Sequence, residues 1–381
     1  MSINRPRLLL VGAGHAHMEV LRQQILEPFE ADVTLVSAGP QHHYSGMVPG
    51  YLAGTYSEEE IAFDLVALAE AARIEFVEGK AIDIDPKARR VEIEEGRRLG
   101  YDLVSFNIGS RSGGSDRPET SGAIGVKPMS EAARLRHQLE SLAARQDDGP
   151  RTVVIVGAGA AGVEVALAAD RVLADAGRQR RVMLVEASET ILSGYDDRFR
   201  HKAEKVLAER DLEVMRGQRV EAVDGETARL EDGTELPAEL AVWLTGAVAW
   251  PVMRRSGLST DERGFLLVDD RMRSIDDPRI WAVGDCGTMV DYPETPKAGV
   301  YAVRQGPLLA EGLRAALTGE VGPAYEPQES FLSLLNTADG KALLRWKMLV
   351  SWSRWAWWLK DWIDRRFMHK YQSLAASGGG R

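Results

Sequence analysis

Cysteine is almost absent from this sequence of 381 residues, in which Cys286 is the only one. A single cysteine cannot form an intrachain disulfide, so a disulfide-stabilised scaffold and a two-cysteine redox centre are both excluded. Such scarcity is typical of proteins in the reducing cytosol. We therefore expect a cytoplasmic protein in which Cys286 is a free and buried thiol.

Long apolar runs are missing as well. No apolar stretch approaches the roughly 18 residues that a membrane-spanning helix needs. The first apolar run follows Arg5 and Arg7, is too short for the core of a signal peptide and leads into a glycine loop. The sequence therefore predicts neither a spanning helix nor a secretion signal.

Acidic residues outnumber basic ones outside the last part of the chain. The formal net charge is −10, yet residues 341–381 contain nine Lys and Arg against two Asp, so the rest is strongly acidic. An acidic body argues against general binding of nucleic acid. The content of 44% apolar and 27% charged residues is ordinary for a globular protein, and the length allows two or three domains.

The most informative stretch is RTVVIVGAGAAGVE, residues 151–164. Its apolar and β-branched run predicts a strand buried in a parallel sheet, and a helical pattern follows. Between them, Gly157, Gly159 and Gly162 have the G-x-G-x-x-G spacing of a dinucleotide-binding loop, in which the helix N-terminus faces the phosphates. The next predicted strand ends in Glu186, where such sites place the acid that binds the ribose. The alternative is a glycine-rich turn that binds no ligand.

A second and less regular loop lies near the start of the chain. Gly12 and Gly14 follow the apolar run RLLLV, but His17 occupies the position of the third glycine. We expect His17 to hold the helix further from the strand, or at another angle. The next predicted strand ends in Ser37 instead of an acid, and a hydroxyl binds a ribose more weakly than a carboxylate does.

These loops begin two copies of one plan. Each is followed by alternating strand patterns and then by a buried strand that ends at glycine, first at Gly109 and later at Thr245 and Gly246. A short strand before Gly284 and Asp285 follows. The sequence predicts an α/β fold with two Rossmann-like dinucleotide-binding domains, β-meander insertions and a C-terminal helical tail. The expected segments are 1–115 and 256–323 for the first domain, 116–255 for the second domain and 324–381 for the tail.

Together these motifs resemble the two-dinucleotide-binding-domain flavoproteins of the pyridine nucleotide–disulfide oxidoreductase superfamily, over roughly residues 7–320. The resemblance implies an FAD-dependent NADH oxidoreductase with FAD in the first domain and NADH in the second. It implies FAD contacts at Gly12, Gly14, His15, His17, Ser37, Gly109, Gly284 and Asp285. It implies NADH contacts at Gly157, Gly159, Gly162, Glu186, Thr245 and Gly246. The Glu186 carboxylate favours NADH over NADPH because it repels a 2′-phosphate.

The missing cysteines limit which branches of this superfamily the chain can resemble. Disulfide reductases have a cysteine pair where this chain has none, in residues 42–51, and sulfide:quinone reductases also need cysteines. Type II NADH dehydrogenases use flavin alone, attach to the membrane and reduce quinone. Their G-x-G-x-x-G-x-E loop is matched here by the stretch that ends in Glu164. Their W-x-x-G motif is matched by the stretch that begins at Trp243. The stretches YSGMVPGYLAG, LVSFNIGS and KAGVYAVRQGP also resemble the FAD-dependent oxidoreductases fused to selenophosphate synthetase.

The electron acceptor is the part of the function that the sequence determines least. Type II dehydrogenases have an A-Q-x-x-x-Q-Q stretch near quinone, and here only Gln305 matches it. We expect a quinone-like acceptor. The alternatives are a soluble reductase of another small acceptor, with selenium compounds among the candidates, and a non-catalytic flavin-binding redox sensor. The candidate acceptor-site residues are Tyr44, Met47, Pro49 and Gln305.

Glu164 is the candidate catalytic residue, two positions after Gly162 on the first turn of a predicted helix. We expect it to position the nicotinamide or to shuttle a proton. The alternative is a carboxylate that only satisfies the helix dipole. Four histidines, His15, His17, His42 and His43, could relay protons. No carboxylate or cysteine completes a ligand set around them, so we expect no metal.

Tryptophan and positive charge are combined in the predicted tail. Six of the nine tryptophans lie between Trp346 and Trp362, interleaved with Lys and Arg, Lys360 among them. This combination suits an anionic membrane surface, at the inner face of the cell membrane, with a homodimer interface as the alternative. On one helical wheel the tryptophans do not share a face, so we expect a break near Ser351 or Ser353.

Overall fold

A computed structural model describes residues 5–127, 129–147 and 149–378. Residues 1–4, 128, 148 and 379–381 are included in the domain segments expected from the sequence, but they lie outside the described part of the chain. The strands are β1 (Arg7–Val11), β2 (Asp32–Ser37), β3 (Gln41–His43), β4 (Ala62–Asp64), β5 (Glu75–Glu78), β6 (Ala81–Asp85), β7 (Arg90–Ile93), β8 (Arg98–Gly100), β9 (Leu103–Phe106), β10 (Arg111–Ser112), β11 (Arg151–Val156), β12 (Arg180–Val185), β13 (Glu213–Met215), β14 (Val220–Asp224), β15 (Thr227–Leu230), β16 (Glu235–Pro237), β17 (Leu240–Trp243), β18 (Ala247–Val248), β19 (Leu266–Val268), β20 (Ile280–Ala282), β21 (Gly287–Met289), β22 (Ser333–Asn336), β23 (Ala342–Trp346) and β24 (Leu349–Ser353).

The α-helices are α1 (His15–Leu26), α2 (Val48–Leu52), α3 (Glu58–Ile61), α4 (Leu65–Ala72), α5 (Met129–Ala144), α6 (Ala160–Asp175), α7 (Asp197–Glu209), α8 (Pro251–Arg255), α9 (Gly299–Thr318) and α10 (Arg354–Gly378). Short 3-10 helices span Ser45–Met47, Glu94–Gly96, Pro118–Thr120 and Gly284–Cys286.

A five-stranded parallel sheet is the centre of the first domain, in the spatial order β20, β9, β1, β2, β5. Its middle strand β1 is buried over residues 8–11, as its continuous apolar run predicts. The chain reverses its direction across the sheet between β1 and β9, which is where open α/β sheets bind ligands. Gly12 and Asn107 follow these two strands at that edge.

The second domain repeats this arrangement with a four-stranded parallel sheet in the order β13, β12, β11, β17. All six residues of β11 are buried, and the reversal lies between β11 and β17. Each domain has an antiparallel three-stranded meander, β6–β7–β8 in the first and β14–β15–β16 in the second. The predicted α/β class with two Rossmann-like domains and meander insertions is confirmed.

The C-terminal region contains the helix that the sequence predicted, α10, together with strands that it did not predict. Three antiparallel strands, β22, β23 and β24, precede the single long helix α10. Trp346 and Trp352 lie on strands. A break between two helices was expected near Ser351 or Ser353, but there β24 ends and α10 begins. The tryptophans share no single helical face because two of them are not helical.

Helix α10 is fixed to the first domain by polar contacts. Asp361 accepts a hydrogen bond of 2.7 Å from the Tyr56 hydroxyl. The buried Glu19 of α1 accepts hydrogen bonds from Lys370 Nζ at 2.6 Å and from the Tyr371 hydroxyl at 3.1 Å. The helix therefore brings its side chains to the edge of the sheet at which the first loop lies.

Candidate functional site

The loop between β11 and α6 has the geometry that its glycines predict. Gly157 adopts a φ of +102°, and a Cβ at Gly162 would overlap the carbonyl oxygen of Gly157. Helix α6 begins after Gly159, and no side chain in the described part of the chain caps it. Its first N–H groups are therefore free to bind phosphate oxygens.

Glu186 lies at the end of β12, beside this loop. Its Oε2 accepts a hydrogen bond of 2.7 Å from the backbone N–H of Ala158. Its Oε1 accepts hydrogen bonds of 2.9 Å from the backbone N–H and from the hydroxyl of Ser188. Thr245 and Gly246 follow β17 at the same edge. The acid is thus held at the position where dinucleotide-binding domains bind a ribose.

His17 connects the first loop to the sheet. It is completely buried, with Nδ1 2.6 Å from the carbonyl oxygen of Gly12 and Nε2 2.8 Å from the Ser105 hydroxyl of β9. Burial lowers the pKa of His17 to about 4, so the ring is neutral. Because a carbonyl only accepts, Nδ1 has the proton and Nε2 accepts from Ser105. The sequence predicted a displaced helix but not these two hydrogen bonds.

Asn107, directly after β9, is a site residue that the sequence reasoning missed. Its Oδ1 accepts hydrogen bonds from the backbone N–H groups of Ala16 at 3.0 Å and His17 at 3.2 Å. Its Nδ2 donates to the carbonyl oxygen of Val283 at 3.0 Å, and its own carbonyl accepts from Gly14 at 3.1 Å. One side chain therefore joins the start of α1 to the ends of β9 and β20. A polar residue at the end of a buried apolar strand was the available signal.

Asp285 lies at the same edge of the first domain. Its Oδ2 accepts a hydrogen bond of 2.7 Å from the Ser110 hydroxyl, next to Gly109, and lies 3.5 Å from Lys127 Nζ. The N–H of Gly284 donates to Gln305 Oε1 at 2.6 Å. Gln305, a candidate acceptor-site residue, is buried and holds this turn.

Glu164 lies on the first turn of α6, enclosed by the C-terminal region. Its Oε1 accepts a hydrogen bond of 2.6 Å from the backbone N–H of Asn336. Burial raises the pKa of Glu164 to about 7, with nearby Lys360 opposing and Asp364 adding to the rise. A carboxyl with this pKa gains and loses a proton near neutral pH.

Lys360 and Asp364 of α10 form a buried ion pair beside Glu164. They are 5% and 3% exposed, and Lys360 Nζ lies 2.7 Å from Asp364 Oδ2. Lys360 also donates to the carbonyl oxygen of Gly46 at 2.7 Å, and the Tyr44 hydroxyl donates to Asp364 Oδ1 at 3.2 Å. We expected a surface cation at Lys360; it is buried because its position on α10 faces the first domain.

Aromatic rings from α1 and α10 contact Tyr44. The ring centroid of His15 lies 5.4 Å from that of Tyr44 and 5.9 Å from that of His42. Phe367 of α10 lies 4.6 Å from Tyr44. Met47 and Pro49, also expected at the acceptor site, are buried in the core. Within the described residues, no group of three His, Cys, Asp or Glu is arranged to hold a metal ion.

Three tryptophans project from the other face of α10. Trp355, Trp358 and Trp362 are 46%, 69% and 58% exposed, at positions i, i+3 and i+7 of one helical face. Met348, in the turn between β23 and β24, is also exposed. None of the helices in the described ranges combines the length and apolar character of a membrane span.

A family model described as pyridine nucleotide-disulphide oxidoreductase matches residues 6–306. The chain belongs to this family. It is an NADH-dependent oxidoreductase and a flavoprotein, with FAD and NADH as its cofactors. The predicted family, enzyme class and cofactors are thereby confirmed.

Two curated relatives and two solved structures show how closely other members resemble this oxidoreductase. The type II NADH:quinone oxidoreductase of Staphylococcus aureus (strain NCTC 8325 / PS 47) is 24% identical, with 97% of each chain covered. The NADH dehydrogenase-like protein YutJ of Bacillus subtilis is 23% identical, covering 88% of this chain and 91% of that protein. Plasmodium falciparum NDH2 in complex with NADH has a TM-score of 0.82 at 13% identity, covering 98% and 97% of the two chains. The sulfide:quinone oxidoreductase of Aquifex aeolicus has a TM-score of 0.81 at 18% identity, covering 97% and 92%.

The first-domain edge of this flavoprotein fits FAD. Helix α1 begins directly after Gly14, at the end of the first loop. Gly12 has a φ of +87°, and its missing side chain leaves the loop close to Asn107. The Asp285 carboxylate supplies an acceptor for hydroxyl groups. These groups lie where the chain reverses across the sheet, the place at which such folds bind dinucleotides.

Proposed function

We propose that the protein transfers electrons from NADH to a quinone-like acceptor, with FAD as its cofactor and without a redox disulfide. The overall reaction converts NADH, a proton and a quinone into NAD⁺ and a quinol. The observation that carries this proposal is the enclosed Glu164, with a pKa of about 7, next to Lys360, Asp364 and Tyr44. Quinone reduction consumes protons, and a carboxyl that titrates near neutral pH can supply them.

Cys286 supports a reaction without a disulfide. The thiol is free and buried, and burial raises its pKa to about 11. The reactive form of cysteine is the thiolate, which this environment disfavours at neutral pH. Its sulfur is within hydrogen-bond distance of the carbonyl oxygens of Phe106 and Val283, so the side chain is part of the packing.

The first-domain edge is the proposed FAD site. When bound, FAD supplies the chemistry of accepting two electrons from NADH and returning them to the acceptor. The N-terminus of α1 would face the phosphates, and the carboxylate of Asp285 would accept hydrogen bonds from ribityl hydroxyl groups. The proposed FAD-binding residues are Gly12, Gly14, His15, His17, Ser37, Gly109, Gly284 and Asp285.

The second-domain edge is the proposed NADH site. The uncapped N-terminus of α6 would bind the pyrophosphate, and Glu186 would accept hydrogen bonds from ribose hydroxyl groups. Glu164 would hold a proton near the nicotinamide or the acceptor. The proposed NADH-binding residues are Gly157, Gly159, Gly162, Glu186, Thr245 and Gly246.

We further propose that the exposed tryptophans of α10 bind the inner face of the cell membrane. Indole rings are stable at the level of lipid headgroups, and neighbouring cations attract anionic lipid. Arg366 lies over the ring of Trp362, so a cation accompanies the apolar surface. The alternative is a homodimer interface formed by the same tryptophans.

Anaerobic addition of NADH to the purified holoenzyme tests the proposed function. We expect the visible absorption band of oxidised flavin to bleach, and a subsequent addition of naphthoquinone to restore it with one quinol formed per NADH. If selenium or sulfur compounds restore the flavin band and no quinone does, the result would favour a reductase of another small acceptor. A flavin that NADH cannot bleach would instead favour a non-catalytic redox sensor.

A further inference from the structure

Few polar groups remain free among the residues expected to bind the acceptor. The side-chain oxygen of Gln305 accepts a hydrogen bond from a backbone N–H of the first domain. Met47 and Pro49 are buried and apolar. The Tyr44 hydroxyl donates to Asp364. An acceptor with carbonyl oxygens therefore needs hydrogen-bond donors that the family's glutamine stretch does not supply here.

Two adjacent imidazoles have an unused nitrogen. Nε2 of His15 and Nε2 of His42 are buried, and neither has a hydrogen-bond partner in the described part of the protein. Their ring centroids lie 5.9 Å apart, with the planes at 87°. Buried polar atoms are nearly always paired, and leaving one unpaired costs about 1–3 kcal/mol. Two neighbouring exceptions indicate that a ligand completes them.

Nε2 of His43, next in sequence, is also buried without a hydrogen bond within the described residues. Its Nε2 lies 3.4 Å from Glu58 Oε1, so a carboxylate is available to it within the protein. His15 and His42 differ from His43 because neither forms an ion pair with a carboxylate among the described residues.

The surroundings of the pair fit a flat ring. Phe63 of β4 is stacked with His42 at 6.1 Å and 10° between planes. Phe367 of α10 lies 5.5 Å from His15 and 4.6 Å from Tyr44. Aromatic side chains favour stacked or edge-on contacts with planar ligands, and binding pockets combine such surfaces with a few polar groups.

Both imidazoles are neutral in this environment. Burial lowers the pKa of His15 to about 4 and the pKa of His42 to about 3. Each ring therefore has one N–H donor and one lone pair at neutral pH. A neutral donor suits an uncharged carbonyl oxygen, whereas an anionic acceptor would call for a cation.

We propose that His15 and His42 donate hydrogen bonds through Nε2 to the carbonyl oxygens of the quinone acceptor. The inference rests on the proposed function and specifies which residues recognise the acceptor. His15 then has two contacts: its backbone N–H at the start of α1 faces the cofactor phosphates, and its ring faces the acceptor. The donors come from α1 and β3, which are separate from the α9 helix that contains Gln305.

The test compares two acceptors in single variants of the holoenzyme. Naphthoquinone has carbonyl oxygens to bind, whereas ferricyanide is a one-electron acceptor without any. In His15→Phe and His42→Phe, which keep an aromatic ring and remove the donor, we expect the ratio of kcat/KM for naphthoquinone to kcat/KM for ferricyanide to fall about three- to tenfold. His15→Gln and His42→Gln, which keep an N–H donor, should recover most of the ratio. His201→Phe is the matched control, because this histidine is exposed on α7 and bonds only to its own helix.

An unchanged ratio in both Phe variants would overturn the inference. Weaker FAD binding with an unchanged quinone KM would also overturn it, since the nitrogens would then serve the cofactor. If wild-type enzyme is bleached by NADH but reoxidised by no quinone, the proposed function itself fails.

A second measurement needs no variant. Naphthalene has the shape of naphthoquinone without the carbonyl oxygens, so its inhibition constant against naphthoquinone should be at least about tenfold higher than the KM for the quinone. Equal strength would show that the carbonyl oxygens have no donors and would overturn the inference even if the Phe variants did not fold.

Discussion

The Tyr44 hydroxyl donates a hydrogen bond of 3.2 Å to Asp364 Oδ1, across 320 positions of the sequence. The first residue follows β3 in the first domain, and the second lies on α10, near the end of the chain. Burial and the neighbouring Asp364 carboxylate raise the pKa of Tyr44 well above its usual value, so the hydroxyl remains a donor. The C-terminal helix is therefore a wall of the candidate site as well as a candidate membrane surface.

Lys360→Met should shift the pH dependence of turnover to higher pH. Removing the buried cation takes away the charge that lowers the pKa of Glu164, so that pKa should rise above about 7. The measurement is the pH profile of kcat with NADH and naphthoquinone. Lys205→Met is the control, because Lys205 is exposed on α7. A profile identical to that of wild type would show that Glu164 does not limit turnover.

Lys360→Met should also destabilise the protein, because Asp364 is then buried without its partner. Breaking a buried ion pair on one side costs about 3–5 kcal/mol. Urea unfolding followed by tryptophan fluorescence measures this loss, and the Lys205→Met control should unfold like wild type. A loss below about 1 kcal/mol would mean that water reaches Asp364 when the lysine is removed.

Glu164→Gln should lower kcat about a hundredfold and remove the transition in its pH profile near pH 7. It should also change how stability depends on pH. The pKa of Glu164 is raised from 4.5 to about 7 on folding, so wild type loses stability as pH rises from about 4.5 to 7. The variant lacks this loss, which we estimate at about 3 kcal/mol. Thermal melts at pH 5 and pH 8 compare the two, and equal slopes would contradict the assigned pKa.

Glu186→Gln should weaken the preference for NADH. The neutral amide no longer repels a 2′-phosphate, so kcat/KM for NADPH should rise relative to NADH by about tenfold. KM for NADH should increase as well, since Glu186 also holds the loop at Ala158. Steady-state kinetics with both nucleotides give the ratio. Glu189→Gln, at a neighbouring exposed acid, is the control. If the wild type already uses both nucleotides equally, Glu186 does not determine the choice.

Replacing Trp355, Trp358 and Trp362 with Ser should release the protein from anionic vesicles. These rings form the exposed face of α10, and losing three interfacial indoles should weaken binding at least about tenfold. Co-sedimentation with phosphatidylglycerol vesicles measures binding. Leu26→Ser and Val321→Ser remove exposed apolar side chains elsewhere and serve as controls. If wild type does not sediment and the triple variant changes from dimer to monomer in light scattering, the homodimer interface is the correct alternative.

The sequence predicted well what depends on neighbouring residues. The strand, glycine loop and helix around Gly157 are contiguous, so their periodicity and spacing determine them. Lys360 and Asp364 could not be placed in this way, because their burial depends on which face of α10 contacts the first domain. The strands from Ser333 to Ser353 were missed since their short runs mix polar and apolar residues without clear alternation.

Asn107 has a consequence for how the protein acquires FAD. It satisfies two N–H groups of α1 and links them to Val283 with the protein's own atoms, so the first loop is held in shape before any cofactor arrives. In the second loop Glu186 accepts from the N–H of Ala158, but no side chain in the described part of the chain caps the N–H groups of α6. We therefore expect flavin stripped from the enzyme to leave a folded apoprotein that is reconstituted by simple mixing.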